Sequence, residues 1–220
     1  MIKKEWTKRS YNFEVRASQE EKEGEESRSV IEGRPIVYDS MTDMDFMYEV
    51  IEKGALDKTD LTDVRFLVNH DLNKIPLARS RKNNKNSTMQ LFVDDKGLRI
   101  KVYLDTENNS EARNLYSAIE RGDITGMSFM FSIGAHEWED LESDKPTHRI
   151  KEISSVIEVS AVTFPAYEDT EIYARDKSEL ESARRTLESE RERAEKAVET
   201  AKESYAARTI LRMYGGTKTC

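Results

Sequence analysis

The segment ITGMSFMFSI, residues 124–133, decides how the chain is read. As a strand it sends Met127, Phe129, Phe131 and Ile133 to one face, because successive side chains point to opposite sides. Ser128 shares the other face with Met130 and Ser132. A hydroxyl therefore stands in the middle of an apolar run, directly after a Gly-Met step. Gly126, just before it, lets a backbone or a substrate come close.

Outward from this strand, the chain alternates short β-like runs with few helices. SEARNLYSAIERGD (110–123) predicts a helix with Ala112, Leu115 and Ile119 on one stripe, ended by Gly122. MQLFVDD and GLRIKVYLD predict a hairpin turning at DDKG. DVRFLVNHD (63–71) reads as a strand ending at His70, and DFMYEVIEKGALD (45–57) as a short amphipathic helix closed by Gly54. Residues 1–16 and 28–38 read as two strands, carried by YNFEVRA (11–17) and SVIEGRPIVYDS (29–40) and separated by a charge-rich stretch. Gly33 and Pro35 mark a bulge or an edge in the second. Downstream, HEWEDLESDKPTH reads as a solvated loop, and RIKEISSVIEVSAVTFPAY (149–167) as one or two strands ending at Pro165.

Residues 1–175 are thus expected to form a mainly β domain of about seven strands and two helices, without regular βαβ alternation. That order favours a closed or nearly closed barrel flanked by helices over a doubly wound sheet. From Asp176 the composition changes: neither Pro nor Gly occurs until Gly215, and Leu180, Leu187, Ala194 and Ala201 recur every seven residues. A long appended helix is expected over 176–214, with residues 215–220 as a flexible tail. Its apolar stripe is thin, as in a helix that bridges solvent or lies on a partner.

Charge narrows the function classes. Among 220 residues, 43 Asp and Glu outnumber 35 Lys and Arg, and the net charge is −8. Phosphate binding requires the opposite excess, so nucleic acid is not expected as the partner. The single cysteine, Cys220, permits neither a disulfide nor a cysteine-based zinc site within one chain. MIKKEWTKRS is followed by no apolar stretch, and no apolar run approaches a membrane span. A soluble, non-exported protein without cofactor or metal is expected.

A hydrolase needs a nucleophile, a base and a group that holds the base. Only three histidines are available. His136 and His148 flank the acidic stretch 136–148 and read as solvated loop residues. His70 stands where a strand leaves the core for a loop, a position that often presents functional groups. Its parity is awkward, since it matches Val64, Phe66 and Val68. In VIEVSAV, Glu158 and Ser160 oppose the face carrying Ile157, Val159 and Ala161. A mid-strand carboxylate orients an imidazole or joins an exposed cross-strand ion pair. Ser128 is likewise a nucleophile or a solvent-facing strand serine. A metal-dependent hydrolase using His70, Asp71 and another carboxylate lacks the paired-histidine spacing such sites use.

Five stretches in order resemble the tailed-phage prohead proteases, the capsid-maturation family related in fold to herpesvirus assemblin. They are GRPIVY (33–38), EVIEKGAL (49–56), VRFLVNHDLNKIPLARS (64–80), IERGDITGMSFMF (119–131) and HRIKEISSVIEVSAVTFPAY (148–167). The acidic insertion at 19–28 and the loop at 136–148 depart from a minimal family pattern. The resemblance implies a β-barrel of about seven strands surrounded by helices, with Ser128 as nucleophile and His70 as general base. Glu158 is the expected third member; His148 stays open, because the herpesvirus relatives use a second histidine, and so does Glu152. The implied activity is that of a serine endopeptidase cutting the scaffold or scaffold-like segment of the major capsid protein, and itself. The place of action would be the immature procapsid in the host cytoplasm, with a second copy of the chain as substrate or oligomer partner and neither nucleic acid nor membrane involved. The long helix would be a packaging or docking element removed by self-cleavage. A non-catalytic capsid assembly or scaffolding protein, with a β head and an acidic helical tail, is the competing reading.

Overall fold

Period-two patterning builds the strands. Leu98, Ile100, Val102 and Leu104 are buried while Arg99, Lys101 and Tyr103 between them stay partly exposed. The structure, a computed structural model, describes residues 6–11, 15–20, 28–84, 86–163 and 177–214. In chain order the elements are β1 (Thr7–Tyr11), β2 (Val15–Glu20), β3 (Arg28–Val37), β4 (Thr42–Asp43), β5 (Tyr48–Ile51), β6 (Asp63–Val68) and β7 (Ala78–Arg81). They continue with β8 (Met89–Asp94), β9 (Gly97–Leu104), α1 (Ser110–Glu120), β10 (Gly126–Glu139), β11 (Thr147–Val162) and α2 (Lys177–Tyr214). The chain divides into one unit through Leu180 and a second from Glu181.

The expected barrel is not what forms. A seven-stranded sheet runs β1-β10-β11-β5-β4, with β6 added to β11 and β7 to β6; a four-stranded sheet runs β2-β3-β9-β8. Neither closes on itself. The mainly β class with helices stands, but the described residues form eleven strands in two sheets. β11 explains much of this, because its 16 residues hold two parallel partners on one edge. β5 pairs along Thr147–Ile150 and β6 along Glu158–Ala161. Closure is not needed to remove the apolar faces from water. Ile31 and Ile100 of one sheet share a buried cluster with Phe66, Phe129 and Val159 of the other. Phe129 and Phe131 meet there with ring centroids 4.8 Å apart and planes tilted by 32°.

Local readings fared unevenly. α1 is as periodicity demands: Ala112, Leu115, Tyr116 and Ile119 are buried, Asn109 caps the N-terminus, and Gly122 follows the C-cap at φ +79°. The hairpin β8–β9 forms, with Asp94 opposite Gly97. A register shift between Gly33 and Ile36 is the bulge that Gly33 and Pro35 announced. Residues 45–57 form no helix, however. Tyr48–Ile51 pair with β11, which buries Val50 and Ile51, and turns occupy 53–58. HEWE is not loop either; it prolongs β10, leaving 140–146 as the connection.

The second unit is mostly helix α2, 38 residues long and about 57 Å at ~1.5 Å per residue. Its described surface is polar, with ion pairs such as Arg185 to Glu181 at 3.7 Å and Arg193 to Glu190 at 2.6 Å. Pro165 and the tail expected over 215–220 lie outside the described residues.

Candidate active site

Three neighbouring strands assemble the site. Ser128 lies on β10 with Ser160 of β11 directly opposite, and Glu158 stands opposite Met130. On the other edge of β11, β6 runs parallel, placing Leu67 beside Ser160 and Val68 beside Ala161. The chain leaving β6 therefore emerges next to Glu158 and Ser160.

Parity fails at His70 for a local reason. Asn69 and His70 adopt φ of 51° and 57°, two consecutive left-handed residues. That conformation costs a non-glycine residue roughly 1–2 kcal/mol, least for Asn. The turn is held against β11. The Asn69 backbone N–H donates to the Ala161 carbonyl at 3.0 Å, and its side chain receives the Thr163 N–H and donates to Thr163 Oγ1, both at 3.0 Å. The reversal swings the imidazole back over the face that carries Ser128.

His70 Nε2 lies 2.5 Å from Ser128 Oγ, and His70 Nδ1 lies 2.5 Å from Glu158 Oε1. The two pairings fix the tautomer chemistry. Nδ1–H donates to the carboxylate, leaving Nε2 bare and aimed at the hydroxyl. Glu158 is fully buried, and a buried carboxylate needs donors on both oxygens. Its second oxygen receives the Ser160 hydroxyl at 2.6 Å. Ser160 Oγ in turn accepts the His70 backbone N–H at 3.1 Å. Ser160 shared the face of Glu158 in the strand alternation, but alternation alone assigned it no role.

Ser128 is not the solvent-facing serine that an exposed strand face would give; its exposure is 0%. Its hydroxyl also donates to the backbone carbonyl of Arg9, 2.8 Å away on β1. One proton thus has two acceptors, the imidazole and a peptide carbonyl.

The alternates for the third position lie elsewhere. Glu152 pairs opposite Ala135, within the bulged stretch of β10. His148 is buried, not a solvated loop residue, and belongs to a separate polar cluster. Its Nδ1 donates to Glu49 Oε2 at 3.1 Å, its Nε2 lies 2.7 Å from His136 Nδ1, and the Trp138 ring stacks on it at 4.4 Å. Arg9 closes that cluster: Nη2 meets Glu49 Oε2 at 2.7 Å and Nε meets Oε1. Burial pushes the Glu49 carboxyl up, but the Arg9 guanidinium and the His148 hydrogen bond outweigh it and hold the group at about 2. Nothing in the local patterning of Arg9 or Glu49 announced this pair.

Both ring nitrogens of His70 are engaged by Ser128 and Glu158, which leaves none for a metal. Among the described residues no group of three or more His, Cys, Asp or Glu is arranged to hold one. A cleft of about 570 Å³ opens between α1 and the 69–77 segment, lined by Asn69, Ile75 and Leu115 among others. None of Ser128, His70 and Glu158 lines it.

A Prohead protease of Enterobacteria phage HK97 is 29% identical over 153 residues, 69% of this chain. The chain spans 62% of that relative's length. The solved structure of the bacteriophage T4 capsid assembly protease gp21 aligns with a TM-score of 0.37 and 12% identity, covering 70% of this chain and 97% of that one. The family model of the caudovirus prohead serine protease matches residues 12–185, a span that includes Ser128, His70 and Glu158. The chain belongs to the caudovirus prohead serine protease family.

Proposed function

We propose that this protein is a serine endopeptidase of procapsid maturation, with Ser128 as nucleophile, His70 as general base and Glu158 as the acid that orients His70. The observation that carries the reading is the double engagement of one imidazole, with Ser128 Oγ and Glu158 Oε1 each 2.5 Å from its two nitrogens. A working base lies within about 3.2 Å of the proton it takes, and these groups are already that close, so transfer to His70 needs the Ser128 hydroxyl to turn its proton from the Arg9 carbonyl to Nε2.

The chemistry follows from the placement. Ser128 Oγ attacks a peptide carbonyl carbon while its proton passes to His70 Nε2, and Glu158 stabilises the imidazolium. The C–N bond breaks, the leaving amine takes the proton from Nε2, and an acyl-serine remains. Water activated by the same imidazole hydrolyses it. Membership of the prohead protease family supports scaffold and capsid-protein segments as substrates, with the enzyme itself as another. It equally supports action inside the immature procapsid in the host cytoplasm. The kinship of fold with assemblin rests on the motif resemblance alone. α2, long and polar, suits a docking element of the shell that self-cleavage removes.

Co-expression with the major capsid protein tests the reading. Shortened capsid protein should appear with the unaltered chain and vanish with Ser128→Ala and with His70→Ala. Normal processing by both variants would leave the scaffolding role instead. An unchanged size of the intact chain through maturation would sink the self-cleavage of α2.

A further inference from the structure

The strand that covers Ser128 is placed as a substrate would be. β1 pairs antiparallel along the edge of β10, with Ser10 opposite Ser128 and Arg9 opposite Phe129. Adding an extended peptide to a sheet edge is a general mode of peptide recognition, with backbone bonds giving affinity and side-chain pockets giving selectivity. The Arg9 carbonyl stands 2.8 Å from Ser128 Oγ, so the peptide group joining Arg9 to Ser10 occupies the position of a bond about to be attacked. The hydroxyl spends its proton on the carbonyl oxygen, which is a resting arrangement and not an attack.

The side chain of the same residue enters a built site. Arg9 is 4% exposed and Glu49 is 0% exposed, and they meet through two hydrogen bonds. His148 fixes the second Glu49 oxygen and Trp138 packs on His148. A buried carboxylate left without a cation is strongly destabilising. Whatever strand lies along this edge must therefore bring a positive charge to Glu49. A forked guanidinium satisfies both oxygens, and a lysine ammonium satisfies one. With the guanidinium in place Glu49 is held ionised against the upward push of its burial.

We propose that β1 occupies the track of the substrate strand, and that Glu49 forms the subsite for an arginine or lysine on the residue whose carbonyl Ser128 attacks. The proposal rests on the protease reading above. It makes β1 a stand-in substrate that an incoming strand must displace.

Peptides decide it. The probe is the capped hexapeptide Trp-Thr-Lys-Arg-Ser-Tyr, matching residues 6–11, with Lys, Ala or Glu substituted at the Arg position. Cleavage at that position by the unaltered full chain should be at least about tenfold faster in kcat/KM for Arg and Lys than for Ala or Glu. Binding is read separately by fluorescence anisotropy on the full chain carrying Arg9→Ala, which vacates the subsite, and Ser128→Ala, which stops turnover. The Arg peptide should bind at least about tenfold tighter than the Ala peptide, and adding Glu49→Gln should erase that gap. Equal cleavage of all four peptides, or a binding gap that survives Glu49→Gln, overturns the subsite while leaving the protease intact. Selective binding without any cleavage overturns the protease reading and not the subsite. Should Glu49→Gln fail to fold, the four-peptide series on the other two proteins still separates these outcomes.

Discussion

The backbone N–H of His70 donates to the Ser160 hydroxyl at 3.1 Å, so the turn bearing the imidazole hangs from the strand that bears its acid. The same hydroxyl donates to Glu158 at 2.6 Å, and one buried side chain thereby sets both the position of the imidazole and the orientation of the carboxylate beside it. Ser160→Ala should lower kcat by about 10- to 100-fold with little change in KM, since a hydrogen bond to a charged group is worth roughly 1.5–3 kcal/mol. Ser160→Thr, which restores a hydroxyl, should recover part of the loss. A matching rise in KM with kcat intact would show that Ser160 serves substrate binding instead.

Glu158→Gln keeps the shape of the acid but presents the wrong hydrogen-bonding face to Nδ1. The imidazole then settles in the tautomer that donates from Nε2, and it cannot take the Ser128 proton. A fall in kcat of roughly 10³–10⁴ is expected, with the fold retained by circular dichroism. Glu152→Gln and His148→Gln, away from the imidazole, should not reproduce a loss of that size.

The left-handed pair at Asn69 and His70 gives a conformational prediction. Asn69→Gly tolerates φ of 51° and loses only the Thr163 bonds, whereas Asn69→Val must hold a β-branched side chain there. Asn69→Val should cost about 1–2 kcal/mol more than Asn69→Gly and lose more activity. Equal denaturant midpoints and rates would show that the turn does not set the activity.

Acid should loosen the Arg9–Glu49 pair. The Glu49 carboxyl is held at about 2, below its ordinary value of 4.5. A depressed carboxyl contributes stability above the unfolded value and loses it as pH falls toward the folded one, here from 4.5 to about 2. The contribution is on the order of 3 kcal/mol at neutral pH. The Tm difference between the unaltered chain and Glu49→Gln should be large at about pH 7 and shrink toward about pH 3. A gap independent of pH would mean that shape, not charge, makes the pair matter.

Gly97 closes the turn between β8 and β9 at φ +130°, and an added Cβ would come within 2.0 Å of the Ile36 carbonyl oxygen. Gly97→Ala should therefore destabilise by well over about 1 kcal/mol. Hydrogen exchange in β3 and β9 should report the opening first.

Local pattern carried a definite share of this structure. Alternation assigned Met127, Phe129 and Phe131 to the core and set Ser128 on the opposite face; the same rule paired Glu158 with Ser160. The stripe of Ala112, Leu115 and Ile119 defined α1, and a run without Pro or Gly defined α2. These features depend on residues within a turn or a pleat of one another, so the chain states them directly.

Tertiary structure decided the rest, because strand partners are chosen at long range and the period of two does not name them. Ser128 and His70 are 58 residues apart, and Ser128 and Arg9 are 119. Whether sheets close or stay open depended on β11 taking three partners, and a helix-like pattern at 45–57 yielded to pairing with it. The two left-handed residues that turn His70 toward Ser128 break the alternation rule, and long-range contacts with Ser160, Ala161 and Thr163 compensate for their strain.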